Sequence, residues 1–251
     1  MQKNFDINES GYSIRCKLYC SSVNAVKRAV IFGHGFGGHK DNRAAEKFAA
    51  KIISKHKDIS VITFNWPCHG DDARKNLLLS ECDTYLALVI EYVKKWFGTD
   101  ELYGYATSFG GYLFLKYIAE HGNPFRKTAL RCPSINMYTT FTNRILSKDD
   151  LDKIQKGKPV LAGFDRKVRI SRQFLEDLAS FDTSKTDYMD HADDLLILHG
   201  TKDEVIPFED SAAFADQNVI EFVPVLNADH RFTDPKTMDL AIHTIIEFFA
   251  L

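Results

Sequence analysis

The sequence has little of several features that would assign it to a specialised class of protein. No apolar run approaches the length of a membrane span, and the first residues contain no apolar signal region. The formal net charge is only −2, whereas a nucleic-acid-binding protein needs a basic face. We therefore expect neither a membrane protein nor a nucleic-acid-binding protein.

The cysteines also give no indication of a disulfide framework. There are five of them, an odd and scattered set with no Cys-x-x-Cys pair, which does not suit a disulfide-stabilised fold. No group of cysteine, histidine and carboxylate residues has the sequence spacing of metal ligands. Reduced thiols are typical of cytoplasmic proteins. We expect a cytoplasmic protein that needs neither a metal nor another cofactor.

Hydrophobic residues make up 45% of the 251 residues, which is enough for a large core. Residues 11–21 alternate polar and apolar and predict a half-exposed strand near a sheet edge. Short apolar runs at 29–32 and 195–198, and the largely apolar run at 60–64, predict strands that are covered on both faces. Between such runs, apolar residues recur at helical spacing. This alternation predicts an α/β fold, with a mainly parallel central sheet and helices on both faces.

Residues 134–190 interrupt the alternation. They are rich in Lys, Asp, Thr and Ser, and contain two short helix signals that open at Ser147 and Ser171. We expect a single domain over residues 1–251, in which 134–190 form a cap or lid inserted before the strand at 195–198. A peripheral decoration that lies away from any functional site is the alternative.

The turn at Ser108 is the main candidate for chemistry. A strand-type run ends on this residue, Gly110 and Gly111 follow, and a helical pattern begins at once. Such a turn strains its apex residue, requires small neighbours and exposes the hydroxyl group. The pattern is that of a nucleophile elbow, Gly-x-Ser-x-Gly, with Ala106 in the first glycine position. Taken alone, it also fits a serine that caps a helix.

Two further candidates, Asp203 and His230, follow the strands predicted at 195–198 and 219–225, where open α/β sheets place their ligand sites. The chain order of serine, acid and histidine is that of a nucleophile-elbow hydrolase. In such an enzyme an imidazole takes the proton of the serine hydroxyl, and a carboxylate orients the imidazole. Glu204 and Asp229 are rival acids. We prefer Asp203 because it follows its strand directly, whereas the side chains of the neighbours Asp229 and His230 point apart on an extended loop.

A developing oxyanion needs two backbone N–H donors. The residue after the nucleophile, Phe109, can supply one, and the glycine-rich loop at 34–38 can supply the other, most simply from Phe36. His34, His69 and His199 each precede a glycine at the end of a strand. We expect these three to hold loop backbone by hydrogen bonds rather than to take part in catalysis.

Five short motifs, in this order and at these strand ends, resemble the α/β-hydrolase superfamily from about residue 11 onwards. They are His-Gly-Phe-Gly-Gly (34–38), His-Gly-Asp (69–71), Ala-Thr-Ser-Phe-Gly-Gly (106–111), His-Gly-Thr-Lys-Asp-Glu-Val-Ile-Pro (199–207) and Ala-Asp-His-Arg-Phe (228–232). Within the superfamily the chain is most similar to bacterial cinnamoyl/feruloyl esterases and monoacylglycerol-lipase-like esterases.

The resemblance implies that Ser108 is the nucleophile, His230 the general base and then acid, and Asp203 the orienting carboxylate. It also implies an oxyanion hole made by the N–H groups of Phe36 and Phe109. The superfamily's dehalogenases and epoxide hydrolases use a carboxylate nucleophile, so serine at the elbow argues against both.

We therefore expect a carboxylesterase that acts on a small-molecule hydrophobic ester through an acyl-enzyme, with a feruloyl-type ester as one candidate. A lipase or monoacylglycerol lipase, a thioesterase and a serine peptidase of the same fold are the alternatives. A non-catalytic binding protein on a hydrolase scaffold is a further alternative from a different class.

Overall fold

A computed structural model describes residues 1–163 and 166–251, so two residues of the expected insertion, 164 and 165, lie outside the described residues. The strands are β1 (Gln2–Glu9), β2 (Tyr12–Cys20), β3 (Arg28–Gly33), β4 (Ile59–Phe64), β5 (Leu102–Thr107), β6 (Lys127–Arg131), β7 (Val160–Ala162), β8 (Val168–Ile170), β9 (Leu195–Gly200) and β10 (Glu221–Val225). The helices are α1 (Arg43–Lys55), α2 (Leu79–Phe97), α3 (Phe109–His121), α4 (Met137–Thr140), α5 (Lys148–Gln155), α6 (Arg172–Ser180), α7 (Phe208–Asn218) and α8 (Pro235–Phe248).

Eight strands form one sheet in the order β1-β2-β4-β3-β5-β6-β9-β10. The pairs β1–β2 and β2–β4 are antiparallel, and the neighbours from β4 to β10 are parallel. Parallel strands that share a sheet end at the same edge. The loops that leave β5, β9 and β10 therefore begin on one side of the molecule, where they carry the candidate residues.

Helices cover both faces of the sheet because alternate side chains of the buried strands point to opposite sides. Val30 and Phe32 of β3 face a core made with α1 and α8. Ile31, between them, faces the other core, to which α2 and α3 contribute. The predicted fold class, a mainly parallel sheet between helix layers, is confirmed. Among the described residues, no helix is long and apolar enough to cross a membrane.

The N-terminal edge of the sheet differs from the sequence prediction. The strand predicted at 11–21 near a sheet edge corresponds to β2, which is second from the edge; the edge strand itself, β1, was not predicted and pairs with β2 over Gln2–Glu9. Sequence periodicity did not reveal β1, since Ile7 is the one buried residue of this strand and Phe5 is half-buried. An edge strand that buries so few side chains carries a weak pattern.

The segment 134–190 contains α4, α5 and α6 and a separate antiparallel hairpin of β7 and β8. The two helix starts are as predicted. Ser147 caps α5 in a capping box with Asp150, and the side chain of Ser171 accepts a hydrogen bond from the amide of Phe174 at the start of α6. Two rings of this segment, Phe141 and Phe174, are fully buried.

Candidate active site

Ser108 occupies the sharp turn between β5 and α3, with φ 53° and ψ −118°. A Cβ on Gly110 would lie 2.5 Å from the carbonyl oxygen of Gly33, so only glycine fits this turn without displacing backbone. Within the described residues, the Ser108 side chain accepts no capping hydrogen bond from α3. The strained backbone and a hydroxyl group that does not cap the helix fit a nucleophile elbow better than a helix cap.

The structure brings Ser108, His230 and Asp203 together in a hydrogen-bonded line. The Nε2 atom of His230 lies 3.0 Å from Ser108 Oγ, and its Nδ1 atom lies 2.7 Å from Asp203 Oδ2. If Nδ1–H donates to the carboxylate, Nε2 is left to accept the proton of the serine hydroxyl. This is the arrangement that general-base activation of serine requires.

The Asp203 carboxylate is held on both of its oxygens. Oδ1 accepts hydrogen bonds of 2.8 Å from the amides of Val205 and Ile206, and Oδ2 faces both His230 and His199. Burial by itself raises the pKa of this carboxyl group. The His199 and His230 imidazoles and the Ile206 amide outweigh burial and hold the pKa of Asp203 well below its usual range. The group is therefore an anion throughout the physiological pH range.

The two rival acids have other partners. Glu204 Oε2 accepts a 3.3 Å hydrogen bond from the backbone N–H of His230 rather than from its ring. Asp229 accepts hydrogen bonds from the amide and the hydroxyl group of Thr233, which closes the turn beyond His230. Among the described residues, Asp203 is the one carboxylate that is hydrogen-bonded to the His230 ring.

Backbone contacts tie the Asp203 loop to the His230 loop. Lys202 N donates to the carbonyl oxygen of Ala228 at 3.0 Å, and Thr201 N donates to that of Val225 at 3.0 Å. A Cβ on Gly200 would collide with the carbonyl oxygen of Ala228, so glycine permits this close approach. The spacing of Asp203 and His230 is thus fixed by main chain as well as by side chains.

The glycine-rich loop after β3 lies against the nucleophile. A Cβ on Gly35 would lie 3.2 Å from Ser108 Cβ. Within residues 1–163 and 166–251, the amides of Phe36 and Phe109 have no backbone or side-chain acceptor. Two uncommitted N–H groups beside a serine are the donors that an oxyanion hole requires.

His34 and His69 hold the backbone around this loop, as expected. His34 Nδ1 donates to the carbonyl oxygen of Gly35 at 2.8 Å, and its Nε2 accepts a 3.3 Å hydrogen bond from the amide of Trp66. His69 Nδ1 donates to the carbonyl oxygen of Pro67 at 2.8 Å. Burial lowers the pKa of His34 well below its usual value and that of His69 to about 4, so both rings are neutral at pH 7.

An aromatic cluster connects the loops beside Ser108 with the segment 134–190. The Phe36 ring is edge-on to Phe109, with centroids 6.0 Å apart, and to Phe141 at 4.8 Å. Phe174 contacts both Phe109 and Phe141, at 6.3 and 5.2 Å. Since Phe141 and Phe174 belong to the segment 134–190, this segment packs directly against the residues beside Ser108.

Two residues near Asp203 were missed by sequence reasoning as part of the site. His199 holds loop backbone as expected, through its Nε2 contact of 3.2 Å with the carbonyl oxygen of Ile206, but the 3.1 Å contact of Nε2 with Asp203 Oδ2 was not predicted. The buried Cys132 has a ligand atom within 4.8 Å of those of Asp203 and His230, and burial raises the pKa of its thiol. The available signal was position, because Cys132 follows β6 directly and thus lies at the same edge of the sheet.

Comparisons with known proteins agree with this architecture. The chain is similar to Est1E from Butyrivibrio proteoclasticus, in a structure with bound ferulic acid, at 20% identity and a TM-score of 0.79 over 98% of this chain and 100% of that one. It is also similar to mouse alpha/beta hydrolase domain-containing protein 10, at 16% identity and a TM-score of 0.74 over 99% and 98% of the two chains. An esterase domain from Rhodothermus marinus matches at 17% identity and a TM-score of 0.69, over 99% and 97%.

No curated protein matches the chain in sequence. Residues 71–250, well over half of the chain, match the prolyl oligopeptidase family. The matched stretch contains Ser108, Asp203 and His230, and the solved structures above share the fold that the motifs predicted. The chain belongs to the prolyl oligopeptidase family and, with it, to the α/β-hydrolase superfamily.

Proposed function

We propose that this protein is a serine hydrolase that cleaves carboxylic esters through an acyl-enzyme intermediate. The observation that carries the proposal is the position of His230, whose two ring nitrogens lie 3.0 Å from Ser108 Oγ and 2.7 Å from Asp203 Oδ2. The strained turn at Ser108 and the fully buried carboxylate of Asp203 support it.

In the first half-reaction, Ser108 Oγ attacks the ester carbonyl carbon while His230 Nε2 takes the hydroxyl proton. Asp203 stabilises the imidazolium ion that forms, and the N–H groups of Phe36 and Phe109 stabilise the oxyanion. His230 then gives its proton to the departing alcohol. Water, activated in turn by His230, releases the acid and regenerates Ser108. Every proton transfer uses the same imidazole, and no cofactor is required.

The half-buried ring of Phe36, on the loop beside Ser108, supports a hydrophobic acyl group, and a cinnamoyl or feruloyl ester is the specific candidate. This ring packs against the fully buried rings of Phe109 and of Phe141 from the segment 134–190. We propose that this segment is a cap within a single hydrolase domain. The structural similarity to Est1E, a protein observed with ferulic acid, supports the same class of substrate.

A serine peptidase is the second candidate, favoured by the match to the prolyl oligopeptidase family. The same three residues and the same oxyanion donors would serve amide cleavage, with His230 protonating an amine instead of an alcohol. The two candidates differ in leaving group and not in the acylation chemistry, so direct comparison of substrates separates them.

The test is steady-state and burst kinetics on methyl ferulate, p-nitrophenyl acetate, a monoacylglycerol and an aminoacyl amide. We expect Ser108→Ala to lower kcat on the preferred ester by on the order of 10⁴- to 10⁶-fold. Ser54→Ala, which removes an exposed hydroxyl group on α1, is the control and should match the wild type. A folded wild-type protein that turns over none of the four substrates would contradict the proposal, as would a Ser108→Ala variant of normal activity.

A further inference from the structure

The ring of His199 is completely buried and has no part in the mechanism above. It lies in β9, four residues before Asp203, and its side chain faces the turn that carries this aspartate. A buried imidazole costs folding free energy unless its nitrogens are satisfied. Among the described residues, His199 Nδ1 has no hydrogen-bond partner. Only the Nε2 side of the ring therefore has polar contacts that can account for its presence.

Those contacts are both in the Asp203 turn. Nε2 lies 3.2 Å from the carbonyl oxygen of Ile206 and 3.1 Å from Asp203 Oδ2. Both neighbouring atoms are acceptors, so Nε2 carries the proton and Nδ1 is the bare nitrogen. This N–H donates to the Ile206 carbonyl oxygen, which fixes the direction of the ring, and the same partly positive edge of the imidazole lies beside the carboxylate.

With this contact, each oxygen of Asp203 has two polar neighbours. Oδ1 has the amides of Val205 and Ile206, and Oδ2 has the rings of His230 and His199. The two amides alone would let the carboxylate rock about its bond to Cβ. The Nε2–H edge of His199 beside Oδ2 opposes this rocking, because rotation would move the negative oxygen away from a partly positive group in a site that water does not reach.

We infer that His199 is a positioning residue that fixes the Asp203 carboxylate toward His230, an inference that rests on the proposed serine-hydrolase function. Its effect passes through Asp203 and His230 to Ser108, so it contacts neither substrate nor the reacting atoms. The other titratable groups around the pair are the Cys132 thiol beside Asp203 and Asp210 of α7, whose carboxyl group interacts with His199.

The experiment compares His199→Gln with His199→Met. Glutamine places an amide N–H near the position of Nε2, whereas methionine has a similar length and no N–H. We expect His199→Met to lower kcat on the preferred ester about 10-fold, because the orientation of the base His230 is disturbed. KM should stay within about twofold of the wild type, because the contacts with substrate are unchanged. We expect His199→Gln to keep kcat within about threefold of the wild type.

The control is Phe208→Leu, which disturbs the ring packed edge-on against His199, with centroids 5.7 Å apart, and leaves both polar contacts in place. This variant should keep wild-type kcat. Thermal melting of all the proteins separates loss of fold from loss of positioning. If His199→Met does not fold, His199→Asn replaces it, since the shorter amide does not reach Asp203 and should show the same loss of kcat.

Three results would overturn the inference. The first is a folded His199→Met variant with wild-type kcat. The second is an equal loss of kcat in His199→Gln and His199→Met, and the third is a loss of kcat in Phe208→Leu equal to that in His199→Met. Each leaves the proposed function intact if the wild type hydrolyses the ester and Ser108→Ala does not. Failure of the wild type itself would instead remove the proposed function.

Discussion

Ala106 carries a methyl group at the position where the elbow motif usually has glycine, and Gly33 on the neighbouring strand accommodates it. The two residues are partners in the β3–β5 register. A Cβ on Gly33 would lie 3.4 Å from that of Ala106 and only 2.7 Å from the buried ring of Phe114. The strand pair thus has room for one methyl group beneath the turn, and Ala106 supplies it.

Substituting each of these two residues separately tests this account. We expect Ala106→Gly to lower the free energy of unfolding by about 1–2 kcal/mol, through loss of a buried methyl group and gain of chain flexibility, and to keep the proposed esterase activity. Gly33→Ala should cost about 2–3 kcal/mol because Phe114 is closely packed. Urea denaturation and an ester assay measure both effects. Loss of activity in a folded Ala106→Gly would show instead that the methyl group tunes the turn.

Sequence reasoning at the scale of single residues depended on position along a strand. Asp203 was preferred over its two rivals because it follows β9 directly, and it is the carboxylate hydrogen-bonded to the His230 ring among the described residues. The neighbours of Asp203 were not predictable in the same way. The contact of His199 depends on the turn folding back, and that of Cys132 depends on the packing of β6 beside β9.

The helices α2 and α7 end in the same backbone conformation but with different residues. Both α2 and α7 finish on a residue in the left-handed conformation, which glycine adopts at little cost. Gly98 ends α2 with φ 61°, whereas Val219 ends α7 with φ 58° and is 73% exposed. A β-branched side chain in this conformation is strained, and exposure means that little packing offsets the strain.

We therefore expect Val219→Gly to raise the free energy of unfolding by about 1 kcal/mol, since relief of strain exceeds the added flexibility of the unfolded chain. Gly98→Ala is the matched control, because no described atom lies within 4 Å of a Cβ placed there. It should lower stability by about 1 kcal/mol through backbone strain alone. Denaturant midpoints measure both, and a destabilised Val219→Gly would mean that the valine makes a contact worth more than its strain.

Whether a strand or helix could be predicted from the sequence depended on how much apolar surface it buries. The strands at the centre of the sheet and the apolar face of α1 were predicted because nearly all their inward positions are hydrophobic. β1 was missed, and so was the pairing of β7 with β8, which are three residues each with one exposed side chain between two buried ones. Such short segments contain too few positions for a period to be recognised.

At the scale of the whole molecule, the parallel sheet explains why residues 108, 203 and 230 meet. Their strands, β5, β9 and β10, lie within four neighbouring positions of the sheet and end at one edge. This much follows from the alternation of strands and helices in the sequence. The path of residues 134–190 does not, because a segment with polar composition and short helices can pack in many ways.

The buried histidines His34 and His69 make stability depend on pH. His69 has its pKa lowered to about 4 by burial, from 6.5, and the pKa of His34 is also well below 6.5. Between pH 6.5 and 4 the unfolded chain therefore binds more protons than the folded one, and the free energy of unfolding falls as the pH falls. The expected slope is about 1.4 kcal/mol per pH unit for each fully titrating ring.

Urea denaturation at intervals from pH 7 to pH 4.5 checks this sign. We expect the free energy of unfolding of the wild type to fall steadily over that range. For His69→Met the slope should be smaller by up to about 1.4 kcal/mol per pH unit, which is the contribution of one titrating proton. The absolute stability of the variant at pH 7 is immaterial, because the slope is the quantity compared. Equal slopes for the two proteins would contradict the assignment of His69 as a buried neutral ring.

The central claim is that Ser108 is a nucleophile activated by His230, and reaction with a fluorophosphonate probe followed by intact-mass and peptide mass spectrometry tests it most directly. We predict one adduct per chain, located on Ser108, no adduct in Ser108→Ala, and labelling slowed at least about 10³-fold in His230→Ala. A folded wild-type protein that remains unlabelled, or that carries the adduct on another residue, would contradict the account.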